Sequence, residues 1–255
     1  MLPTVFRIGP VAVHGYGLML MLGFLAGILL VSRQAKRLGL APELAVDLGL
    51  WTLIGGVLGA RAAFVALNWG DFSARPLEGL YVWQVGGLSF HGGLAGGAVA
   101  ALLLAWRRKL SFWTLGDVGA PGIALGYGIA RFGCLLNGCC YGGPTSLPWG
   151  LRFPLYPDSG ITTEPSHPTQ VYAALGSFLI LGVLLWARSR LSTRGQLFLL
   201  YVALYAVMRG AVEVLRRGYT ARALADGITQ AQAASAVMLV AAVVGAIWLG
   251  RRGRR

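Results

Sequence analysis

Residues 15–32 read GYGLMLMLGFLAGILLVS and contain no charged side chain; Arg33, Lys36 and Arg37 follow at once. A helix needs roughly 20 predominantly apolar residues to cross a hydrocarbon core of about 30 Å. Lys and Arg beside such a run favour the cytoplasmic side. The stretch therefore predicts a transmembrane helix that enters from the outside, and the lack of a small-residue cleavage site favours a retained span over a removed signal peptide.

The rest of the chain repeats this pattern. It is 56% hydrophobic and 12% charged, whereas a soluble domain carries about 25% charged residues. Further apolar segments lie at about 46–68, 87–106, 113–132, 170–187, 196–214 and 228–249. We predict an all-α integral membrane protein of about seven transmembrane helices, forming a single polytopic domain over residues 1–255.

Basic residues predict the orientation of these helices. Thirteen of them follow alternate apolar segments and are assigned to the cytoplasm, from Arg33 to the C-terminal Arg255. Six others, Arg7, Arg75, Arg152, Arg216, Arg217 and Arg222, are spread over the opposite side. The N-terminus is expected outside and the C-terminus in the cytoplasm. The long connections at about 69–86 and 133–169 then lie outside, and the second, rich in Gly, Pro, Ser and Thr, predicts a small irregular cap.

The net charge of +13 does not indicate a nucleic-acid partner, because the basic residues occupy short loops and form no stripe interleaved with aromatic residues. The three cysteines, Cys134, Cys139 and Cys140, include no CxxC pair and have no nearby His at zinc-ligand spacing. We therefore expect no metal site, no disulfide framework and no cofactor.

Ionisable residues inside spans are costly, so each suggests a function. With the orientation above, Tyr16, His91, Arg131, Arg209 and Glu213 fall in the outer halves of their spans and are expected to meet in one pocket. Two arginines in such a pocket suit a phosphate, because guanidinium stays charged and presents paired donors. This predicts a lipid substrate with an anionic head group. Arg61 and Asp117 lie deeper or toward the inner side and are interpreted first as structural partners.

Other interpretations stay open on these residues alone. Arg209 and Glu213 are four apart on one helical face and can simply neutralise each other. His91 can be a hydrogen-bonded packing residue. A transporter for a small anion would also place Arg and His in spans, but the polar groups gather at one side and no inverted repeat is visible. An aminoalcohol phosphotransferase would require clustered aspartates, and Asp117 is the only aspartate well inside a predicted span.

One stretch carries a specific resemblance. Residues 130–143 read ARFGCLLNGCCYGG, in which an arginine precedes several glycines and a single amide, a composition that can break a helix and turn backbone N–H groups toward an anion. The run resembles the signature of the prolipoprotein diacylglyceryl transferases. Further stretches resemble that family in the same order: Tyr16-Gly17-Leu18-Met19, His91-Gly92-Gly93-Leu94, His167-Pro168-Thr169-Gln170-Val171-Tyr172, and Arg209 with Glu213 and Arg216.

The resemblance implies an activity. The family transfers the diacylglyceryl group of phosphatidylglycerol to the lipobox cysteine thiol of prolipoprotein signal peptides, releasing glycerol phosphate, without a metal. It implies a multi-pass protein of the bacterial cell (inner) membrane, with its active site toward the outer leaflet. At Cys134, Cys139 and Ala173 this chain departs from many relatives, which carry Asn at the first position and acidic residues at the other two.

The resemblance also implies roles for individual residues. His91 is expected to be the general base or to orient the thiol, and Arg131 to hold the phosphate. Arg209, oriented by Glu213, is expected to stabilise the leaving group. Tyr16 and Asn137 are expected to position the lipid, and Gly142, within the signature, is included among the substrate-binding residues.

Overall fold

The computed structural model describes residues 4–8, 11–73, 77, 87–155, 160–216, 220–221, 223–225 and 227–252. Helices account for most of these residues. In chain order they are α1 (Gly15–Arg37), α2 (Leu44–Leu67), the short α3 (Trp69–Phe72), α4 (Phe90–Arg107), α5 (Phe112–Asn137), α6 (Thr169–Ala187), α7 (Gln196–Val214) and α8 (Gln230–Arg252).

Two small antiparallel hairpins flank the helices. Strand β1 (Thr4–Ile8) pairs with β2 (Val11–His14), directly before α1. Strand β3 (Ala223–Ala225) pairs with β4 (Ile228–Thr229), directly before α8. Neither hairpin is predicted from the sequence pattern, which is dominated by the long apolar runs. Each hairpin therefore leads into a long apolar helix.

The prediction of an all-α membrane protein is confirmed in its coarser form. Among the described residues, six helices are long and apolar enough to cross a membrane: α1, α2, α5, α6, α7 and α8. Helix α4 covers the remaining predicted span, but it has only 18 residues, which include four glycines, His91 and a terminal Arg107. A seventh span stays a prediction. The N-outside orientation also stays a prediction. The residues Arg75, Arg217, Arg222, Arg254 and Arg255, whose sides of the membrane are predicted above, and most of connection 69–86 lie outside the described residues.

The chain divides into two compact units, one formed by residues 31–115 and the other by residues 1–30 and 116–255. In the unit 31–115, helices α2 and α4 pack through glycines. A Cβ at Gly96 would lie 2.2 Å from the Gly55 carbonyl oxygen and 2.8 Å from the Gly59 Cα. Within lipid, the hydrophobic effect does not drive helices together, so they associate through close packing, and small residues let their backbones approach this closely. The same unit encloses Arg61, which lies over the Phe64 and Phe72 rings and donates to the Gly87 carbonyl.

Gly96→Ala is expected to destabilise this unit by about 1–3 kcal/mol. The added methyl group would clash with the backbone of α2, which can make room for it only if the two helices move apart. Gly97→Ala is the matched control, since a Cβ there meets nothing closer than the Thr52 carbonyl oxygen at 3.5 Å. Unfolding in detergent, followed by circular dichroism, measures both variants. Equal stability of the two would contradict the close packing of α2 against α4.

The other unit is built around α5, α6 and α7. Its core contains seven buried side chains: Ala120, Ala124, Ile180, Leu184, Ala187, Leu197 and Tyr201. Ser177 on α6 donates to the Ala124 carbonyl across this core at 2.7 Å. Asp117 on α5 accepts from the Gly195 and Phe198 N–H groups at 2.5 and 2.8 Å, so its carboxylate satisfies free donors at the start of α7. The structural interpretation of Asp117 is thereby confirmed.

The segment between α5 and α6 is irregular, as predicted for the cap at 133–169. The first five residues of that predicted cap, 133–137, belong to helix α5 instead. Isolated β-bridges join Leu151 to Ser166 and Pro154 to Thr162. Phe153 is fully buried and stacks on Tyr141, with ring centroids 4.8 Å apart. The segment thus has contacts within itself. Its location on the outer face stays a prediction.

Candidate active site

Arg131 lies in the last two turns of α5, half-buried beside an aromatic wall. Its guanidinium stacks over the Tyr127 ring, 4.4 Å from the centroid, and donates to the Tyr127 hydroxyl. Tyr127 in turn meets Tyr205 edge to face, with centroids 5.4 Å apart. Residues four apart share a helix face, so Tyr127 fixes the direction of Arg131 from its own helix. The guanidinium is therefore held in place before any ligand arrives.

Glu213 organises two further arginines near the end of α7. Its carboxylate is 2% exposed, and one oxygen accepts from Arg209 Nη1 and from Arg216 Nη1. Arg216, itself buried, also donates to the Thr220 hydroxyl and carbonyl, at 3.1 and 3.3 Å. A buried ion pair needs good geometry and further hydrogen bonds to offset desolvation, and Thr220 supplies them. One carboxylate thus orients two cations.

The three arginines converge on one small cleft, here called the arginine pocket. Its lining consists of Tyr127, Arg131, Cys140, Thr169, Ala173, Arg209, Val212 and Arg216. Three guanidinium charges against the single Glu213 carboxylate leave an excess of two positive charges. Guanidinium groups bind phosphate through paired N–H donors, so this arrangement suits a phosphate-bearing ligand.

The signature segment, residues 130–143, contains the end of α5, as its glycines indicate, but the helix does not stop at its first glycine, Gly133. The helix continues to Asn137 and ends in a Schellman motif, in which Gly138, with φ of +74°, donates to the Leu135 carbonyl and Cys139 N–H donates to the Cys134 carbonyl. Only beyond Gly138 does the backbone leave the helix. The helix is continuous at Gly133 because that glycine packs against α1, and a Cβ there would lie 3.1 Å from the Tyr16 carbonyl oxygen.

Residues 139–143 are held by other elements through their backbone. The Cys139 and Cys140 carbonyls accept from the Gln170 and Thr169 side chains, both at 2.5 Å. The remaining contacts of this run join Thr220 Oγ1 to the Tyr141 carbonyl, Gly142 N–H to the His167 carbonyl, and Gly143 N–H to the Leu215 carbonyl. This run therefore forms a fixed wall beside the arginine pocket.

The three cysteines come together at this wall, with their sulfur atoms within 4.8 Å of one another, and are here called the cysteine cluster. Hydrogen bonds from the Cys134 and Cys139 thiols, followed by the charges of Arg216 and Arg131, lower the pKa of the Cys140 thiol below its ordinary value. Cys140 also has φ of +67°, an uncommon conformation for a residue with a side chain.

The remaining predicted site residues of this unit surround the same region. Tyr16, 43% exposed at the start of α1, lies close enough to Arg131 and the cysteine cluster to interact electrostatically. Asn137 is exposed at the end of α5, beside the Cys139 thiol.

Gly142 is buried, and a Cβ there would lie 2.7 Å from the Leu215 carbonyl oxygen. Its N–H is already bonded to His167, so the structure gives Gly142 a packing role. Substrate binding by Tyr16, Asn137 and Gly142 stays a prediction.

His91 belongs to the other compact unit, where it is exposed in the first turn of α4. The Ser89 hydroxyl caps this helix by accepting from the Gly92 N–H at 3.3 Å. The predicted role of His91 in the chemistry stays a prediction.

Sequence reasoning missed Arg216, Tyr127 and Thr169 as lining of the pocket. Arg216 follows the end of α7 and is interpreted there as a loop charge, although its spacing of three from Glu213 indicates a helical ion pair. An aromatic residue within a span is normally interpreted as a packing residue. The sequence therefore does not mark Tyr127 as a pocket residue, and only the structure shows its ring under the Arg131 guanidinium.

Comparison with known proteins gives one consistent family. The family model described as prolipoprotein diacylglyceryl transferase matches residues 3–248. Three similar proteins each bear the name phosphatidylglycerol--prolipoprotein diacylglyceryl transferase. The protein of Synechococcus elongatus is 36% identical over 97% of this chain and 87% of its own length. The protein of Chromohalobacter salexigens is 38% identical over 98% of this chain and 93% of its own length. The protein of Bacillus licheniformis is 36% identical over 94% of this chain and 89% of its own length.

Proposed function

This chain belongs to the prolipoprotein diacylglyceryl transferase family, and we propose that its arginine pocket binds the phosphate of phosphatidylglycerol during transfer of the diacylglyceryl group to a prolipoprotein. The observation that carries the assignment is the convergence of Arg131, Arg209 and Arg216 on one cleft. No other described cluster offers comparable paired donors for a phosphodiester.

In the proposed reaction, the sulfur of a lipobox cysteine forms a bond to the glycerol carbon of the lipid. The bond between that carbon and the phosphate oxygen breaks, and glycerol phosphate departs with the electron pair. Negative charge therefore grows on the leaving oxygen in the transition state. Donors already oriented toward that charge stabilise it without reorganisation.

The two sides of the pocket have different parts in this scheme. Arg131, fixed by Tyr127, holds the phosphate in both the bound state and the transition state. Arg209 and Arg216, which share Glu213, stabilise the charge that develops as glycerol phosphate leaves. Glu213 acts through these arginines, because its carboxylate is buried behind them and would repel an anion directly. Tyr16 and Asn137 are assigned to positioning the lipid from the rim.

The proton of the incoming thiol is assigned to His91. A thiolate is the reactive nucleophile, and imidazole has the unperturbed pKa nearest to neutral pH. His91 is exposed in the first turn of α4.

The cellular setting follows from the substrates. This is a multi-pass membrane protein, and both acyl chains and the signal-peptide helix reach it from within the lipid. We propose that it lies in the bacterial inner membrane with the arginine pocket toward the outer leaflet. Basic loop residues on the opposite side support this orientation.

A transfer assay tests the function. Purified protein is mixed with phosphatidylglycerol and a lipobox peptide, and the peptide mass is measured. The expected result is a gain of one diacylglyceryl group that is lost with a Cys→Ser peptide. Phosphatidylethanolamine of the same acyl composition serves as the lipid control. No mass gain with well-folded protein would contradict the function, and anion flux into vesicles would then test the transporter alternative.

Replacing His91 by glutamine is expected to lower the transfer rate by about 100-fold, since general-base catalysis contributes at least that much. His14→Gln is the matched control, because His14 is also exposed but belongs to strand β2. The pH dependence of the transfer rate separates the two roles assigned to His91, general base and orientation of the thiol. A base gives an acidic limb in the rate profile that disappears in the variant, whereas near-normal rates in His91→Gln would show the assignment to be wrong.

A further inference from the structure

The cysteine cluster is not used by the proposed transfer reaction. Cys134, Cys139 and Cys140 are all the cysteines in the chain, and each is half-buried. Packing alone explains a single half-buried thiol. It does not explain why three thiols, each offering one sulfur, meet within 4.8 Å.

The backbone fixes the positions of these sulfurs. The Schellman motif at the end of α5 places the fourth-last residue of that helix, Cys134, beside the second residue after the helix, Cys139. The side chains of Gln170 and Thr169 then hold the Cys139 and Cys140 carbonyls. The ligand set is thus organised by contacts that do not involve the thiols themselves.

The spacing is close to that of a metal–thiolate site. Zinc binds cysteine sulfur at about 2.3 Å in a tetrahedron, which places two ligand sulfurs ~3.8 Å apart. From an outer limit of 4.8 Å, the sulfurs need to approach by no more than about 1 Å. A disulfide would join only two of the three and leave the third thiol unexplained.

The local charge favours the same ligand. Three thiolates around a divalent ion carry a net negative charge, which is costly in a half-buried place unless cations lie near. Arg131 Nη1 lies 4.0 Å from the Cys134 sulfur, and Arg216 interacts electrostatically with Cys140. The cluster therefore has its compensating charges in place.

We propose that Cys134, Cys139 and Cys140 bind one thiophilic metal ion, with zinc as the expected ion, through three thiolates. Soft thiolate ligands select zinc or copper(I) over the hard cations. Each thiol releases its proton to solvent on binding. The fourth tetrahedral position is left to water or an incoming ligand. This proposal goes beyond the transferase function and does not depend on it.

Cadmium is the probe, because its bond to thiolate produces a near-ultraviolet charge-transfer band. Protein kept reduced in detergent is titrated with Cd²⁺, without lipid or peptide, and zinc uptake is measured separately by equilibrium dialysis. We expect one Cd²⁺ per chain and at least a tenfold loss of affinity in each of C134S, C139S and C140S. The triple variant contains no cysteine and is expected to show no band. His167→Gln is the control and is expected to bind as the parent protein does.

A second measurement needs no substitution: Cd²⁺ is expected to protect all three thiols of the unaltered protein from alkylation by N-ethylmaleimide. Three titratable thiols that take up no cadmium and gain no protection would overturn the proposal. Loss of two thiols to a disulfide that reductant does not open would overturn it as well, in favour of a redox pair.

Discussion

Arg131→Ala is expected to lower the rate of diacylglyceryl transfer by about 1,000-fold while leaving the helices intact. Loss of one preorganised donor to a developing anion costs about 100- to 1,000-fold in rate. We place Arg131 at the upper end of this range because Tyr127 holds its guanidinium in a fixed direction. The measurement is kcat/KM for phosphatidylglycerol with a lipobox peptide at saturation, together with circular dichroism of each protein.

Arg131→Lys is expected to recover only a small part of the rate. Lysine keeps the charge but loses the planar, paired donors that match phosphate oxygens. Arg190→Ala is the matched control, because it removes an exposed arginine that likewise stacks on an aromatic ring, that of Trp186, away from the pocket. If Arg131→Ala and Arg190→Ala had equal rates, Arg131 would not be the phosphate anchor.

The positions of the helices could be read from the sequence because apolar length is a one-dimensional property. The predicted ends of the helices were less accurate than their positions. Helix α5 continues five residues past its predicted end at 132, because Gly133 has a packing contact and the actual stop is Gly138. Helix α1 continues from 32 to Arg37, since its last basic residues stay helical after the apolar run ends. Composition marks where a span leaves the lipid, whereas helix ends depend on local capping.

The candidate site was predictable in part for a related reason. Arg131 and Arg209 were expected to meet because both are charged and lie toward the same ends of their spans, and they do line one cleft. The contribution of Arg216 depends on a turn after α7 that folds it back onto Glu213. The signal for it in the sequence is the spacing of three from Glu213, which hydropathy does not mark. Membership in the pocket could thus be predicted for the charged residues Arg131 and Arg209 within helices, but not for the uncharged Tyr127 and Thr169 or for Arg216, which a turn places.

The cysteine cluster shows the same limit. Sequence reasoning dismissed a metal because Cys134, Cys139 and Cys140 match none of the familiar spacings. Those spacings describe ligands on hairpins and on single helical faces. Here a Schellman turn joins residues five apart, and a left-handed Cys140 returns the third sulfur to the other two. The approach of the three sulfurs is recognised only when the turn geometry is known, and the prediction of no metal is what the cadmium titration tests.

Glu213→Gln is expected to give the largest loss of stability of any single substitution near the pocket. Removing one partner of a buried ion pair costs about 3–5 kcal/mol, because it leaves an uncompensated charge, and here two guanidiniums lose their common carboxylate. The temperature of unfolding in detergent is expected to fall accordingly. Glu164→Gln, at an exposed carboxylate, is the control and is expected to unfold as the parent protein does.

A second substitution separates the structural role of Glu213 from its effect on catalysis. Adding Arg209→Met to Glu213→Gln removes one of the two uncompensated cations, so part of the lost stability is expected to return. The transfer rate is expected to stay low, because one of the two donors for the leaving group is then absent. Stability and activity that recover together would instead mean that Arg209 and Glu213 serve only to neutralise each other. That result would leave Arg131 and Arg216 as the phosphate-binding pair.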